Sequence, residues 1–174
     1  LLAFIGSHGV GKTTLCYELA AALKRRDLSL ELVKEVARSC PLPINRETTV
    51  AAQTWILHAQ VCREIEATAG ADCTVCDRSV IDNYAYLVHA DGRQPDWEPI
   101  LAGWLSTYTL LVKVPVVAPP SFDGTRDTSE DFQQAIDRII DELLVEFDVP
   151  RLILEPDDRP RWTDRVLEAL DPKD

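Results

Sequence analysis

The chain has 174 residues, 46% of them hydrophobic and 27% charged, which is typical of one globular domain. It has no run of about eighteen apolar residues, so we expect no membrane-spanning helix, and its net charge of −11 argues against nucleic acid as a partner, because nucleic-acid-binding domains carry a basic surface. Its five cysteines are scattered and odd in number, which predicts reduced thiols in a cytoplasmic protein.

Apolar runs alternate with helical patterns along the chain. The runs predict strands at residues 1–5, 28–33, 73–76, 109–114 and 151–154. Apolar residues at helical spacing predict helices after the first run, at 46–68, 79–89, 97–108 and 132–147, and after Pro160. Asn45 and Thr128 are the expected N-caps of two of these helices, and Pro160 is expected to open the last. This alternation predicts one α/β domain over 1–174, a three-layer, doubly wound parallel sheet of about five strands.

The first predicted strand leads into a glycine-rich run, which reads Gly6-Ser7-His8-Gly9-Val10-Gly11-Lys12-Thr13. This run matches the P-loop pattern G-x-x-x-x-G-K-[ST], with the strand before it and the amphipathic helix after it that the pattern requires. In such a loop, backbone N–H groups and the helix N-terminus bind phosphates, and Lys12 reaches the β and γ oxygens. Residues 6–14, up to Thr14, therefore predict a site for ATP or GTP, and His8 either shapes the loop or is exposed.

Asp77 follows the third predicted strand directly. A P-loop needs a carboxylate at this place to orient Mg²⁺, and the Thr13 hydroxyl supplies a second ligand of the ion. We therefore expect Mg²⁺ at Thr13 and Asp77. The alternative is that Asp77 caps the helix that follows it.

The residues around Asp77 separate the classes of P-loop protein. The chain has no Asn-Lys-x-Asp stretch, the element that reads guanine in GTPases, and Arg78 stands where motor-type ATPases carry a glutamate. The chain is also too short for the extra helical domain of ring-forming ATPases. These observations favour a small-molecule kinase.

Several segments resemble those of nucleoside and nucleotide kinases. Asp77-Arg78-Ser79 resembles the Asp-Arg segment of thymidylate kinases and the Glu-Arg-Ser segment of deoxynucleoside kinases. Glu35-Val36-Ala37-Arg38 and Phe122-Asp123-Gly124-Thr125-Arg126 resemble segments of ribosylnicotinamide kinase-like P-loop proteins, the group to which the chain is most similar. Ala52-Gln53-Thr54-Trp55 is a looser match to the segment around the glutamine in the substrate helix of deoxynucleoside kinases. The absence of an Asp-Pro or Glu-Pro pair after the second strand argues against a plain thymidylate kinase.

The resemblance implies ATP-dependent phosphoryl transfer to a small metabolite, a nucleoside or a nucleotide. It implies that Arg78 and Arg126 stabilise the transferred phosphoryl group, and that Arg126 belongs to a lid at about 115–130. Glu35 would be the base for the acceptor hydroxyl. Arg38 and Gln53 are candidate contacts of the acceptor.

Each of these roles has a structural alternative. Arg78 can pair with Asp82 one helical turn on, and Lys34 and Arg38 can neutralise Glu35. Arg126 lies among acidic residues and can form a solvated ion pair, while helix-face polarity explains Arg38 and Gln53. The alternative function is a P-loop ATPase or nucleotide-gated regulator that has no small-molecule acceptor.

Overall fold

A computed structural model describes residues 1–119 and 129–171. The strands are β1 (Leu2–Ile5), β2 (Leu30–Val33), β3 (Cys73–Asp77), β4 (Leu110–Lys113) and β5 (Leu152–Ile153). The helices are α1 (Lys12–Lys24), α2 (Val50–Thr68), α3 (Val80–Asp91), α4 (Glu98–Leu105), α5 (Glu130–Glu146) and α6 (Trp162–Leu170). Short 3₁₀ turns lie at Val36–Ser39, Asn45–Glu47 and Pro156–Arg161.

The five strands form one parallel sheet in the order β2-β3-β1-β4-β5, which confirms the predicted fold class. After β1 the chain builds β2 and β3 on one side and then crosses to build β4 on the other. The carboxyl end of β1 is therefore a topological switch point, the place where open α/β sheets bind ligands. The glycine-rich loop starts at that end.

The central strand β1 is buried on both faces, as expected for a parallel sheet covered by helices. Ala3 and Ile5 pack into a core with residues of α2 to α5, whereas Leu2 and Phe4 pack into a second core with α1 and α6. The apolar stripe of α5, which the sequence predicted, supplies Phe132, Ile136, Ile140, Leu143 and Leu144 to the first core. Within residues 1–119 and 129–171, no helix combines the length and apolar character that crossing a bilayer requires.

Two predicted N-caps are wrong. Asn45 has a left-handed φ of 60° in a 3₁₀ turn, and Thr49 caps α2 by accepting a hydrogen bond from the Ala52 N–H at 3.2 Å. Asparagine tolerates the left-handed region, whereas an N-cap residue needs an extended backbone. Ser129 caps α5, and Thr128 lies outside the described residues. Pro160 lies in a 3₁₀ turn, so that α6 starts two residues later than predicted.

A buried carboxylate links α2 to the residues at the end of α4. Glu64 on α2 has no exposed surface and accepts hydrogen bonds from Trp104 Nε1 at 2.6 Å and the Tyr108 hydroxyl at 2.8 Å. Burial raises the pKa of Glu64, against the opposing effect of these hydrogen bonds. Gln60 Nε2 donates to Glu64 at 2.7 Å and to the Arg78 carbonyl at 3.3 Å. The network therefore reaches the backbone of a predicted catalytic residue.

Gly6 provides a test of how tightly the loop packs on the sheet. It has a φ of 142°, and a Cβ added there would lie 2.7 Å from the Val114 carbonyl oxygen. We expect Gly6→Ala to lower the free energy of unfolding by about 2 kcal/mol or more, because a backbone atom cannot move aside as a flexible side chain can. Urea denaturation measures this change.

Gly103→Ala is the matched control. Gly103 lies inside α4, and an added Cβ there would meet no heavy atom within 4 Å. This substitution is expected to raise the free energy of unfolding by about 0.5–1 kcal/mol, because alanine favours the helix. Equal effects of the two substitutions would contradict the close approach of Gly6 to the Val114 carbonyl, directly after β4.

Candidate active site

The glycine-rich loop joins β1 to α1 in a sharply curved path. Gly9 and Gly11 have φ values of 80° and 96°, in the left-handed region that favours glycine, and Gly11 is the N-cap residue of α1. Loops of this kind curl around anions and lead them to a helix N-terminus. The predicted loop residues that line the open cleft here are His8, Gly9, Gly11, Lys12, Thr13 and Thr14.

The remaining predicted loop residues, Gly6, Ser7 and Val10, lie below the surface of the cleft. Val10 is buried in the core shared by β1 and α1. The Gly6 N–H donates to Asp82 at 2.8 Å and the Ser7 N–H to Asp137 at 3.4 Å. Two carboxylates therefore hold the start of the loop, so these residues can shape the phosphate site from below.

Lys12 lies at the centre of the cleft and is only 5% exposed. Its ammonium group donates to the carbonyls of Gly6 at 2.7 Å and Ser7 at 2.6 Å. Burial and then the nearby charge of Arg78 lower the pKa of Lys12 to about 8, although nearby carboxylates, Asp77 among them, act against this. A phosphate beside Lys12 would counter both causes of this shift, so the site suits an anion.

Thr13 and Asp77 meet across the cleft. The Thr13 hydroxyl at the start of α1 donates to an Asp77 carboxylate oxygen at the end of β3, with 2.5 Å between the oxygens. A hydroxyl and a carboxylate are hard oxygen ligands, and Mg²⁺ in phosphate sites typically takes one or two protein ligands besides water and phosphate. The pair fits such an ion. Residues 1–119 and 129–171 contain no cluster of three or more His, Cys, Asp or Glu residues that could hold a metal without phosphate. Asp77 does not cap α3, because Ser79 does.

Asp82, which the sequence indicated only as an alternative partner of Arg78, connects the loop to α3. It has no exposed surface and accepts hydrogen bonds from the Gly6 N–H at 2.8 Å and the Ser79 N–H at 2.9 Å. It forms a capping box with Ser79, a pattern that the spacing of the two residues could have indicated. Burial raises the pKa of Asp82, although Lys12 and Arg78 favour its charged form.

Arg78 and Glu35 form a buried ion pair next to Lys12. Arg78 Nε lies 2.8 Å from Glu35 Oε1, and Arg38 Nε lies 2.8 Å from the other carboxylate oxygen. The alternative pairing of Arg78 with Asp82 is therefore wrong, while neutralisation of Glu35 by Arg38 is observed. Burial alone would raise the pKa of Glu35, but the charges of Arg78 and Lys12 and the arginine hydrogen bonds outweigh it and lower that pKa to about 2.

The wall of the cleft facing the loop carries polar groups without protein partners. Gln53 on α2 and Asn83 on α3 are each 4% exposed, and both line the cleft. Gln53 Nε2 donates to the Thr48 hydroxyl at 2.8 Å. Within the described residues, Gln53 Oε1, Asn83 Nδ2 and Arg78 Nη1 are buried and have no hydrogen-bond partner. Such atoms are rare in folded proteins and are expected where a ligand completes the site.

His8 is 5% exposed, so the interpretation of it as an exposed loop residue is wrong. Its carbonyl accepts a hydrogen bond from Gln133 Nε2 of α5 at 2.8 Å, and its ring lies 5.3 Å from that of Phe132. It therefore shapes the loop. Arg126, and with it residues 120–128 of the predicted lid, lies outside the described part of the chain.

The ion pair of Glu35 leads to a prediction of how the free energy of unfolding depends on pH. Because the pKa of Glu35 falls from 4.5 to about 2 on folding, its charge stabilises the fold above about pH 4.5, by roughly 3 kcal/mol, and this contribution is lost as the pH falls toward 2. We expect Glu35→Gln to be less stable than wild type by about that amount at neutral pH, and the difference to shrink to about half by pH 3. Denaturant unfolding at a series of pH values measures this.

Glu66→Gln is the control for that series. Glu66 pairs with Arg63, but the two side chains are 63% and 67% exposed, so the pair is expected to contribute at most about 1 kcal/mol. A Glu35→Gln difference that stays constant between neutral pH and pH 3 would contradict the assignment of the pKa shift to the arginine pair.

Comparisons with known proteins identify a family for the chain and similar solved structures. A family model described as an AAA domain matches residues 1–165. No curated protein matches the sequence. Among solved structures, deoxyadenosine kinase from M. mycoides with the products dCMP and dCDP has a TM-score of 0.68 at 14% identity, over 99% of both chains. The same enzyme with bound dATP has a TM-score of 0.68 at 16% identity, over 98% of both chains.

A thymidylate kinase from Ehrlichia chaffeensis has a TM-score of 0.69 at 14% identity, over 98% of this chain and 97% of that chain. The TM-scores show that the chain shares its fold with these nucleoside and nucleotide kinases over almost its whole length. The structural likeness and the family match agree with the P-loop kinase-like protein that the sequence predicted. The chain belongs to the AAA-domain family of P-loop proteins.

Proposed function

We propose that this protein is an ATP-dependent kinase that phosphorylates a small metabolite, a nucleoside or a nucleotide. One observation carries the proposal: the phosphate loop and the Arg78–Glu35 pair share a cleft with the buried, unpartnered atoms of Gln53 and Asn83. An enzyme that only hydrolyses ATP needs room for water beside the γ-phosphate. The wall formed by α2 and α3 has polar atoms without hydrogen-bond partners among the described residues, which supports the binding of a second substrate.

In this proposal, loop residues from Gly6 to Thr14 bind the nucleotide, and Lys12 contacts its β and γ phosphates. Thr13 and Asp77 would hold Mg²⁺, and the ion would neutralise phosphate charge. The dATP found in the M. mycoides kinase supports a purine nucleoside triphosphate as the ligand. The five cysteines are free thiols, which supports a cytoplasmic location.

Glu35 accepts a hydrogen bond from the acceptor hydroxyl and orients its oxygen toward the γ-phosphorus. A carboxylate with a pKa of about 2 is a weak base. The acceptor oxygen therefore first forms its bond to the γ-phosphorus, while the bond between that phosphorus and the leaving ADP oxygen breaks. The new bond makes the hydroxyl acidic, and Glu35 then takes the proton. Arg78, with Nη1 unpartnered, stabilises the charge on the transferred group.

The acceptor lies against α2 and α3 in this proposal. Gln53 offers a carbonyl oxygen and Asn83 an amide N–H, while Arg38 holds Glu35 from the far side. The segment at about 115–130 closes over the site and brings Arg126 to the phosphates, a role that rests on its resemblance to the kinase lid. Closure excludes the water that would otherwise compete with the acceptor.

The first test is acceptor dependence. Wild-type protein with Mg²⁺ and ATP is assayed for ADP release against a panel of nucleosides and nucleotides, and at least one of them should raise the rate well above the background hydrolysis. Lys12→Ala should abolish turnover, because the phosphates lose their central cation. Lys24→Ala, which removes an exposed lysine at the end of α1, should retain it. If no compound of the panel raises the rate of ADP release, the result would favour the alternative function, a P-loop ATPase or nucleotide-gated regulator.

The second test concerns the transfer chemistry. On the acceptor found in the panel, Glu35→Gln should lower the phosphorylation rate by about 10²-fold or more, because the hydroxyl loses its orienting carboxylate. Arg126→Ala should lower it by about 10³-fold, as expected for a transition-state arginine. ATP affinity, measured by titration calorimetry, should change little in both variants, since neither residue belongs to the phosphate loop.

The exposed Arg63–Glu66 pair on α2 supplies matched controls for that test. Arg63→Ala and Glu66→Gln make the same chemical changes away from the cleft and should leave acceptor phosphorylation unchanged. Near-normal acceptor phosphorylation by Glu35→Gln and Arg126→Ala would remove their assigned roles and leave the nucleotide site standing.

A further inference from the structure

Tyr86 on α3 joins the phosphate loop to Arg78, and the proposed chemistry does not use it. Its side chain is buried, and its hydroxyl oxygen lies 3.1 Å from His8 Nδ1 and 3.5 Å from Arg78 Nη2. The Arg78 guanidinium carbon also lies 5.2 Å from the centre of the Tyr86 ring, within reach of a cation–π interaction. One tyrosine therefore contacts both a loop residue and the arginine of the cleft.

The chemistry of the three groups fixes the direction of the hydrogen bond from Arg78 and allows Tyr86 to donate to His8. A guanidinium can only donate, so the Tyr86 oxygen accepts from Arg78. The Tyr86 hydroxyl can then donate its proton to His8 Nδ1, in the histidine tautomer that has no proton on Nδ1. Burial raises the pKa of Tyr86, which outweighs the opposing charge of Arg78, so the phenol keeps the proton that this arrangement needs.

The position of His8 is itself set by α5. Gln133 Nε2 holds its carbonyl at 2.8 Å, and Phe132 packs against both the His8 ring and the Tyr86 ring, with centroids 5.3 Å and 5.9 Å away. Residues of the phosphate loop, α3 and α5 thus meet around the Tyr86 hydroxyl. A tyrosine held on this many sides can hold another group in place.

Arg78 needs such support, because its backbone is strained and its charge is buried. It has a φ of 95° and is 6% exposed. Glu35 holds Nε at 2.8 Å, and the Tyr86 hydroxyl accepts from Nη2 at 3.5 Å, while Nη1 has no hydrogen-bond partner among the described residues. We propose that Tyr86 is a positioning residue that directs Arg78 Nη1 at the transferring phosphoryl group, and that His8 acts through Tyr86. This inference rests on the proposed kinase function.

Tyr86→Phe tests the positioning role, because it keeps the ring and removes the hydroxyl. On the acceptor identified in the panel, kcat should fall about tenfold, while the KM values for ATP and acceptor stay within about twofold, since the interaction acts on the transfer step. Tyr84→Phe is the matched control. Tyr84 lies on the same helix, but its hydroxyl donates to Glu98 at 2.7 Å, so kcat should not change.

Substitutions of His8 test whether it acts through Tyr86. His8→Leu removes the acceptor of the Tyr86 proton and should lower kcat, whereas His8→Asn places a carbonyl oxygen near the position of Nδ1 and should restore most of it. In the double variant that carries both Tyr86→Phe and His8→Leu, kcat should be no lower than in Tyr86→Phe alone. The reason is that both substitutions remove the same interaction. Additive losses would overturn the role of His8.

A measurement without turnover separates this inference from the proposed function. In ¹⁵N NMR spectra of arginine side chains, assigned through Arg78→Lys, restricted rotation should give Arg78 separate Nη proton signals in wild type. In Tyr86→Phe these signals should merge, and in Tyr84→Phe they should stay separate. Identical Arg78 signals in wild type and Tyr86→Phe would overturn the inference even if the protein is a kinase. A failed acceptor screen would overturn the kinase and leave the NMR result to decide whether Tyr86 fixes Arg78.

Discussion

The carboxylate of Asp82 lies without solvent contact between the phosphate loop and the start of α3. It accepts hydrogen bonds from the Gly6 N–H, which follows β1, and from the N–H and hydroxyl of Ser79, which follows β3. A buried carboxylate without such donors costs several kcal/mol, so the loop and the helix can be placed only where all three donors reach it. The positions of Lys12 and of Arg78, immediately before Ser79, follow from this constraint.

The cleft concentrates positive charge in a protein whose net charge is −11. Burial lowers the pKa of Lys12 and the charge of Arg78 lowers it further by repulsion, whereas attraction to Arg78 and Lys12 lowers the pKa of Glu35 against the effect of burial. Arg78 contributes to both shifts, because the protein buries it close to Lys12 and pairs it with Glu35. A nucleotide supplies negative charge that would relieve the repulsion between Lys12 and Arg78, so the charges of the cleft favour a polyanion.

The sequence predicted the sheet, the phosphate loop and the Thr13–Asp77 pair because each depends on local pattern. The continuous apolar run of β1 and the spacing of Gly6, Gly11 and Lys12 leave few alternatives. It did not predict Asn83 or Tyr86, because their roles depend on which face of α3 meets the cleft, and tertiary packing decides this. The true caps of α2 and α5 were missed for a related reason, since neighbouring Asn, Ser and Thr residues compete for the same place.

The register of the sheet explains why Arg78 needs support from three directions. Phe4 of β1 lies opposite Asp77 of β3, and the Arg78 N–H continues this pairing by donating to the Phe4 carbonyl at 3.1 Å. The chain must then turn at once so that Ser79 can cap α3, and the positive φ of Arg78 makes that turn. This turn places a long cationic side chain in the cleft that the phosphate loop also lines. Strain of this kind persists only where surrounding contacts fix it, which the Glu35 ion pair, the Gln60 hydrogen bond and the Tyr86 ring do together.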